Sequence, residues 1–336
     1  MNISRKLVVL GTATILGFGF ASETMALEWN VSVWGKRRAF TEHIEKLAEL
    51  VSEKTNGEFT LNIAYGEALS KSRENLDGIS IGAFEMAQIC ASYHEDKNPT
   101  LTVIELPFLG VPDLPTQIEL DKAIYSHPAV VKDLMRWDAK LLMSSPMPQY
   151  NFVGKGEVPT KVSDFEGMRV RALGGIGQAM QTIGAVPTTV TASETFQAID
   201  SGTVRAASFA PHAHLSFKTV EAGNWWTTNM NPGTVSCPVV VSAAAYDALP
   251  DNFREALDSS VDASLEHYLA TYDKVYEKWF PTLDEMKIQK VEFTKEELDA
   301  FKAKAGKPLW DAWVQKMNAQ GIPGQELLDL ALSKLN

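Results

Sequence analysis

The feature that most constrains the fold is a repeated alternation between strand-type and helix-type hydrophobic patterns. Between Trp29 and Tyr65, apolar residues first alternate with polar ones, then recur every three or four positions, and then alternate again. A strand, helix, strand order of this kind favours two parallel strands joined by a right-handed crossover. The same order restarts at Met168 and continues to Phe209. The sequence therefore predicts two α/β lobes.

A long amphipathic pattern follows these two blocks. Apolar residues stand three or four positions apart from Phe253 to Trp279, and Pro281 follows as the predicted end of the helix. Its aromatic residues fit one helix laid across both lobes better than a coiled coil. Before it, the apolar residues 235–241 predict a strand that returns to the first lobe. After it, Thr294 and Glu297 have the spacing of a capping box at the start of another helix.

The first 26 residues have the pattern of a secretory signal peptide. Arg5 and Lys6 precede an apolar run, and small residues up to Ala26 occupy the positions that a signal peptidase reads. The run is shorter than the roughly 20 residues of a spanning helix, which disfavours an N-terminal membrane anchor. With cleavage after Ala26, the net charge changes from −11 to −12. Such an acidic chain is not expected to coat nucleic acid or anionic lipid.

The two cysteines do not belong to a metal or redox motif. Cys90 and Cys237 lie in separate apolar stretches, and neither has a CxxC partner or paired histidines at ligand spacing. A chain of this size forms a sufficient core without a crosslink. Two states are therefore compatible with the sequence: two buried free thiols, or one disulfide.

Signatures of catalysis and of nucleotide binding are missing from the sequence. It contains no GxxxxGK[ST] or HExxH motif and no complete GxGxxG after a strand. The amides of residues 174–177 could receive an anion at a helix start, but a tight turn explains these glycines equally well. His212 and His214 would share one side of an extended segment, although without a third ligand a polar loop facing a cleft is favoured. We expect no catalytic residues, no metal and no cofactor.

Residues 164–204 resemble the DctP-type solute-binding proteins of tripartite ATP-independent periplasmic (TRAP) transporters. Residues 164–171 read D-F-E-G-M-R-V-R, similar to the family pattern D-L-K-G-hydrophobic-K-hydrophobic-R. The likeness continues through residues 183–187 and 193–204, and residues 106–109 are similar to the L-P-F motif of the family's first lobe. Together with the leader and the long helix, the resemblance covers essentially all of the mature chain.

The resemblance implies an α/β, two-lobed periplasmic binding protein fold (type II-like) with a long helix spanning both lobes. We expect a signal peptide at 1–26, a first lobe at 27–153 and a second lobe at 154–234. A return strand, the bridging helix and C-terminal helices are expected at 235–336.

In function, the resemblance implies a periplasmic receptor that captures a small organic acid between its lobes. Such a receptor delivers the acid to TRAP membrane permease subunits, which import it along an ion gradient. Two other functions are compatible with an exported two-lobed chain. One is an ABC-type receptor for a sulfonate or an amino acid, and the other is a secreted hydrolase or lyase.

The ligand-binding arginine of the family corresponds to Arg171. A guanidinium can donate two parallel hydrogen bonds to a carboxylate, although an arginine at a strand end can also pair with a surface acid. Phe209 stands where many relatives have a polar Asn, which favours a ligand with an apolar or ring-shaped body unless Phe209 packs into the core. The other candidates are polar and aromatic residues on strands or in loops that follow strands: Trp34, Arg37, Glu67, Tyr93, Tyr150, Arg169, His212 and Trp225.

Overall fold

The computed structural model describes residues 26–335, and the leader predicted at residues 1–26 lies outside them except for Ala26. The described residues form two β-sheets. Their strands, in chain order, are β1 (Leu27–Ser32), β2 (Phe59–Ala64), β3 (Met86–Gln88), β4 (Ala139–Met143), β5 (Asn151–Gly154), β6 (Arg169–Arg171), β7 (Val186–Thr188), β8 (Ala206–Phe209), β9 (Trp225–Thr227), β10 (Val239–Ser242) and β11 (Gln289–Val291).

Helices cover the faces of these sheets and form the C-terminal part of the fold. They are, in chain order, α1 (Glu42–Lys54), α2 (Asn75–Ser80), α3 (Leu114–Tyr125), α4 (Pro128–Met135), α5 (Gly174–Thr182), α6 (Thr195–Asp200), α7 (Pro211–Ser216), α8 (Thr219–Ala222), α9 (Ala243–Asp247), α10 (Asp251–Asp258), α11 (Val261–Glu285), α12 (Lys295–Ala305), α13 (Lys307–Ala319) and α14 (Gly324–Ser333). Short 3-10 helices occupy Ala39–Thr41, Ala91–Tyr93, Pro99–Glu105 and Val162–Phe165. None of the helices within residues 26–335 is both long and apolar enough to cross a bilayer.

The first sheet has the strand order β2-β1-β3-β10-β4 and, with its covering helices, forms the first lobe. β1 is parallel to β2, as the strand, helix, strand pattern predicts, and it is also parallel to β3. β10 runs antiparallel between β3 and β4, so the chain does return to this lobe within the predicted apolar stretch. The buried side of α1 carries Ile44, Leu47 and Val51, which share one hydrophobic cluster with Trp29 and Val31 of β1.

The second sheet has the order β11-β9-β5-β8-β6-β7 and defines the second lobe. β5 differs from expectation, because residues 151–153 were assigned to the first lobe. It lies antiparallel between β8 and β9, with Asn151 opposite Phe209, so these backbone hydrogen bonds attach it to the second sheet. Sequence periodicity predicts such a strand but does not identify the strands with which it pairs.

The predicted single helix from Phe253 onward is wrong at its N-terminal end. The structure has two helices, α10 and α11, separated at Ser259 and Ser260. The Ser260 hydroxyl donates to the carbonyl of Ala256 at 2.6 Å, so a side chain competes with the regular backbone bonding at this point.

The expectation that Pro281 ends the long helix is also wrong. Pro281 lies inside α11, which is 25 residues long and continues to Glu285. An interior proline is normally costly, but the last turn buries Leu283 against Trp226 and Trp279. Tertiary packing therefore maintains the helix beyond the proline.

The expected span across both lobes is confirmed. Near its start, α11 places Leu265 in the cluster under the first sheet, and near its end Trp279 packs beside Trp226 of β9. The C-terminal helices also contact both lobes. α12 packs against α5 of the second lobe, whereas α13 and α14 pack over the first. The predicted capping box is present at the start of α12, where Thr294 accepts from the amide of Glu297 at 3.3 Å.

Candidate ligand-binding site

Side chains from both lobes meet where several parallel strands have their carboxyl ends. The first lobe contributes residues after β1 and β3, and the second contributes residues at or after β6, β7 and β8. This is the edge at which open α/β sheets bind ligands. The cavity measures about 30 Å³, and its lining is Trp34, Arg38, Phe40, Cys90, Tyr93, Met147, Tyr150, Arg171, Leu173, Ala192, Phe209, His212, Ala213, Phe217, Val235 and Cys237.

Arg171, the last residue of β6, is a buried cation of this cavity. It is 1% exposed, and it donates from Nε to the carbonyl of Val190 at 3.0 Å and from Nη1 to that of Ser208 at 2.9 Å. Its guanidinium carbon lies 4.1 Å from the ring centroid of Phe209. Burial lowers the pKa of Arg171 below its ordinary value. The cavity lining within residues 26–335 includes no Asp or Glu that would balance this charge.

Several aromatic rings line the cavity beside Arg171. Trp34 lies 6.1 Å from Tyr93 between ring centroids, and Tyr150 lies 6.4 Å from Phe209. Burial raises the pKa of Tyr150 well above its ordinary value, so its phenol stays neutral. Six of the ten predicted residues therefore meet at one cavity: Trp34, Tyr93, Tyr150, Arg171, Phe209 and His212.

The other four predicted residues lie elsewhere. Arg169 is exposed and donates to the carbonyl of Gly202 at 2.9 Å. The side chain of Arg37 is 58% exposed and pairs with Glu42 at 2.8 Å. Glu67 accepts the amide of Ser72 at 2.9 Å.

Trp225 is not in a loop but in β9, where its ring is fully buried in the second lobe. It packs edge-on to Phe165 at 6.2 Å and lies directly over Gly154 of β5. The sequence pattern placed Trp225 in a loop that follows a strand. The pairing of β9 with β5 and β11, which the pattern does not contain, places the indole in the core instead.

The prediction that His212 and His214 lie on an extended segment is wrong, because both are in α7. His212 Nδ1 bonds to the Tyr272 hydroxyl at 2.6 Å, whereas His214 bonds to Thr219 at 2.6 Å and to the carbonyl of Asn151 at 3.1 Å. Burial lowers the pKa of His214 to about 3 and that of His212 well below its ordinary value, so both rings are neutral at pH 7.

Sequence reasoning missed Arg38, a second guanidinium at the cavity. Gly35 adopts a positive φ of 69° and turns the chain after β1, so that Arg38 Nη1 reaches the carbonyl of Trp34 at 2.9 Å. Arg38 also contacts Phe40 and Phe217, two further wall residues that were not predicted. Arg38 could have been predicted as a site residue, since residues 35–38 follow a predicted strand.

Cys90 and Cys237 form a disulfide that lines the cavity, which settles the two states left open by the sequence. Glu105 accepts hydrogen bonds from both chain segments that the disulfide joins. Its Oε1 accepts the amides of Ser92 at 3.3 Å and of Ser236 at 2.9 Å. Burial raises the pKa of Glu105 to about 8.

The carboxyl group of Glu105 also lies against the first residue of α5 in the second lobe. A Cβ built on Gly174 would lie 2.3 Å from Glu105 Oε2, so glycine permits this close approach. The glycines at residues 174–177 thus pack against a carboxyl group of the protein itself. No group of three His, Cys, Asp or Glu side chains within residues 26–335 is arranged to hold a metal ion.

Comparison with known proteins identifies the family of this chain. Residues 31–316 match the family model DctP, described as bacterial extracellular solute-binding protein, family 7. The C4-dicarboxylate-binding periplasmic protein DctP of Rhodobacter capsulatus is 26% identical over 232 residues, and the matched region spans 66% of either chain.

Solved structures share the fold over nearly their whole length. A TRAP periplasmic solute-binding protein from Roseobacter denitrificans with bound β-D-glucuronate has a TM-score of 0.78 at 18% identity, covering 91% of this chain and 99% of that one. A marine metagenome TRAP solute-binding protein specific for aromatic acid ligands, from an unidentified microbe and in complex with 3-hydroxybenzoate, has a TM-score of 0.82 at 20% identity. That likeness covers 92% of this chain and 98% of the other.

The match over residues 31–316 includes most of both sheets, the long helix and the residues that line the cavity, and it confirms the resemblance found in the sequence. The chain therefore belongs to the DctP family of bacterial extracellular solute-binding proteins, family 7, whose members are solute receptors and not enzymes.

Proposed function

We propose that this protein is a periplasmic receptor that binds a small organic acid with an aromatic or apolar body between its lobes. It then delivers the acid to TRAP permease subunits for import driven by an ion gradient. The observation that carries this proposal is Arg171, a buried cation in a cavity whose lining, within the described residues, has no acidic side chain.

The charge of Arg171 explains why the ligand is an anion. A buried cation is costly unless a counter-charge and hydrogen bonds compensate it. Two carbonyls accept from Nε and Nη1, and Phe209 covers one face of the guanidinium. A carboxylate that reaches the guanidinium would supply the missing negative charge at short range. Because the whole chain is acidic, attraction of an anion must come from such local groups.

The aromatic walls support an apolar or ring-shaped ligand body. Trp34, Tyr93, Tyr150 and Phe209 offer ring faces and edges, which favour offset or edge-to-face contact with a planar ligand. The two solved relatives bind β-D-glucuronate and 3-hydroxybenzoate, which both carry a carboxylate. We infer that the carboxylate of the ligand binds Arg171 in this protein and that the aromatic side chains select the rest of the ligand.

Ligand entry requires the lobes to separate. A cavity of about 30 Å³ holds about two water molecules, far less than an aromatic acid. Hinge closure of two lobes around a ligand is a common binding motion, and the segments that cross between the sheets would supply the hinge. For export, we propose that residues 1–26 are removed after Ala26.

A ligand panel tests the proposal. Thermal shift followed by calorimetry on the mature chain should identify at least one binder among benzoate, 3-hydroxybenzoate, glucuronate and succinate, because a ligand of the folded state raises Tm. Replacing Arg171 with Gln should weaken that binder by at least about 30-fold, since removing one partner of a buried charged pair costs about 2–5 kcal/mol.

The matched control is Arg169→Gln, which removes an exposed guanidinium from the same strand and should leave the affinity within about two-fold. An Arg171→Gln protein that is folded and still binds the acid with wild-type affinity would contradict the role of Arg171. If neither the panel nor a wider carboxylate set raises the Tm of the wild type, the proposed ligand class is wrong.

A further inference from the structure

A second guanidinium faces the same cavity from the opposite lobe. Arg38 belongs to the loop after β1 in the first lobe, whereas Arg171 ends β6 in the second. Their guanidinium groups lie at the two ends of a stack of rings. Arg171 is 4.1 Å from the Phe209 centroid, Phe209 and Phe217 are stacked at 5.8 Å, and Arg38 is 5.2 Å from the Phe217 centroid.

The Arg38 side chain is held in place by neutral partners. Nη1 donates to the carbonyls of Trp34 at 2.9 Å and Lys36 at 2.8 Å, and the guanidinium also lies 5.1 Å from the Phe40 centroid. Its Nε is buried and has no hydrogen-bond partner among the described residues. Buried polar groups are normally paired, so an unpaired donor at a binding cavity indicates a position for an acceptor.

Glu42 lines a surface pocket that Arg38 also lines, but it forms no ion pair with Arg38. The neighbouring Arg37 pairs with Glu42 and Glu45, but Arg38 forms no ion pair with any carboxylate of residues 26–335. His212, which also lines the cavity, is kept neutral by burial and by the positive charge of Arg38. The cavity therefore has two fixed cations, one from each lobe.

We propose that Arg38 is a second anion anchor and that it selects aromatic acids carrying a second anionic group away from the first. One carboxylate would meet Arg171 and the other would meet Arg38, with the ring between them against Phe209 and Phe217. This inference rests on the proposed function, because it assumes that Arg171 binds the first carboxylate. Closure of the lobes brings the two anchors onto one ligand, so a dianion would also stabilise the closed arrangement.

The test compares benzoate with the 1,2-, 1,3- and 1,4-isomers of benzenedicarboxylate by calorimetry. In the wild type, the 1,3- or 1,4-isomer should bind at least ten-fold more tightly than benzoate. Arg38→Gln should remove that gain, so that the variant binds the diacid and benzoate with affinities within about three-fold of each other. Arg37→Gln, at the exposed neighbour, is the matched control and should retain the gain.

A second measurement needs no variant. The monomethyl ester of the preferred diacid retains its size and ring but loses one charge, and it should bind the wild type no better than benzoate. The inference is overturned if no diacid binds better than benzoate, if the ester binds as well as the diacid, or if folded Arg38→Gln retains the gain. If benzoate binding depends on Arg171 but no diacid is preferred, the proposed function is retained and only the role of Arg38 as a second anion anchor is rejected.

Discussion

The Tyr93 hydroxyl of the first lobe accepts a hydrogen bond from the backbone amide of Ala192 in the second lobe, at 3.0 Å. The same ring lies 5.0 Å from the guanidinium of Arg73, which in turn donates to the carbonyl of Thr189 in the second lobe. Tyr93 thus contacts the cavity and the opposite lobe together. We expect this pair of contacts to couple ligand binding to closure of the lobes.

Tyr93→Phe should weaken ligand binding without unfolding the protein. The change removes one hydrogen bond across the lobes, worth about 0.5–1.5 kcal/mol, and so disfavours the closed arrangement that holds the ligand. Calorimetry should show a loss of affinity of about two- to ten-fold. Tyr65→Phe is the control, because the Tyr65 hydroxyl bonds to Glu45 within the first lobe. Equal affinities for the two variants would show that the Tyr93 contact does not contribute to closure.

Replacing both Cys90 and Cys237 with Ala should lower the free energy of unfolding by about 2–4 kcal/mol. The disulfide joins residues 147 positions apart, and it restricts the unfolded chain more when the closed loop is long. Denaturant unfolding of the mature protein measures the difference. Reductant should shift the unfolding midpoint of the wild type towards that of the double variant and leave the midpoint of the double variant unchanged. Identical midpoints for the oxidised wild type and the double variant would contradict the expected stabilisation.

Glu105→Gln should change how stability depends on pH. Burial raises the pKa of Glu105 in the folded protein to about 8 from an ordinary value of 4.5, so folding favours the protonated carboxyl. The stability that the protonated carboxyl contributes to the folded protein is fully present below pH 4.5 and is lost as pH rises towards and through 8. Glutamine cannot ionise, so the Tm of the wild type relative to the variant should fall between pH 5 and pH 8.5. If the Tm values of the wild type and the variant change in parallel over that range, ionisation of Glu105 does not contribute to the pH dependence of stability.

Gly154→Ala should destabilise the second lobe. A Cβ at this position of β5 would lie 2.0 Å from Cζ2 of the fully buried Trp225, so the strand or the indole must move. Overpacking of this kind costs about 1–3 kcal/mol, which a Tm measurement detects as a loss of several degrees. Gly233→Ala is the control, since its nearest neighbour outside the adjoining residues would lie at 3.6 Å. A Tm equal to that of the control would mean that the lobe absorbs the methyl group freely.

Much of the architecture could be predicted because its signals are local. The alternation of hydrophobic residues in 29–65 and 168–209 indicated parallel α/β units, and the apolar spacing up to Trp279 indicated a helix long enough to span the lobes. Arg171 could be placed at the cleft because the residues 164–171 resemble the family motif in which it ends a strand.

Other features depended on contacts between distant residues. Periodicity does not report the strand partner, so β5 was assigned to the wrong sheet and Trp225 to a loop. The extent of α11 beyond Pro281 depends on the burial of Leu283 under the second sheet, and no local pattern contains that contact.

The two-lobed α/β class, the family and the arginine at the end of β6 could be predicted, because strand and helix periodicity and a contiguous motif are properties of neighbouring residues. Local patterns do not show that Cys90 joins Cys237 or that Arg38 faces Arg171's cavity from the other lobe, and both follow from the three-dimensional fold. Those pairs are separated by more than a hundred residues in the chain, and chain folding alone brings them together.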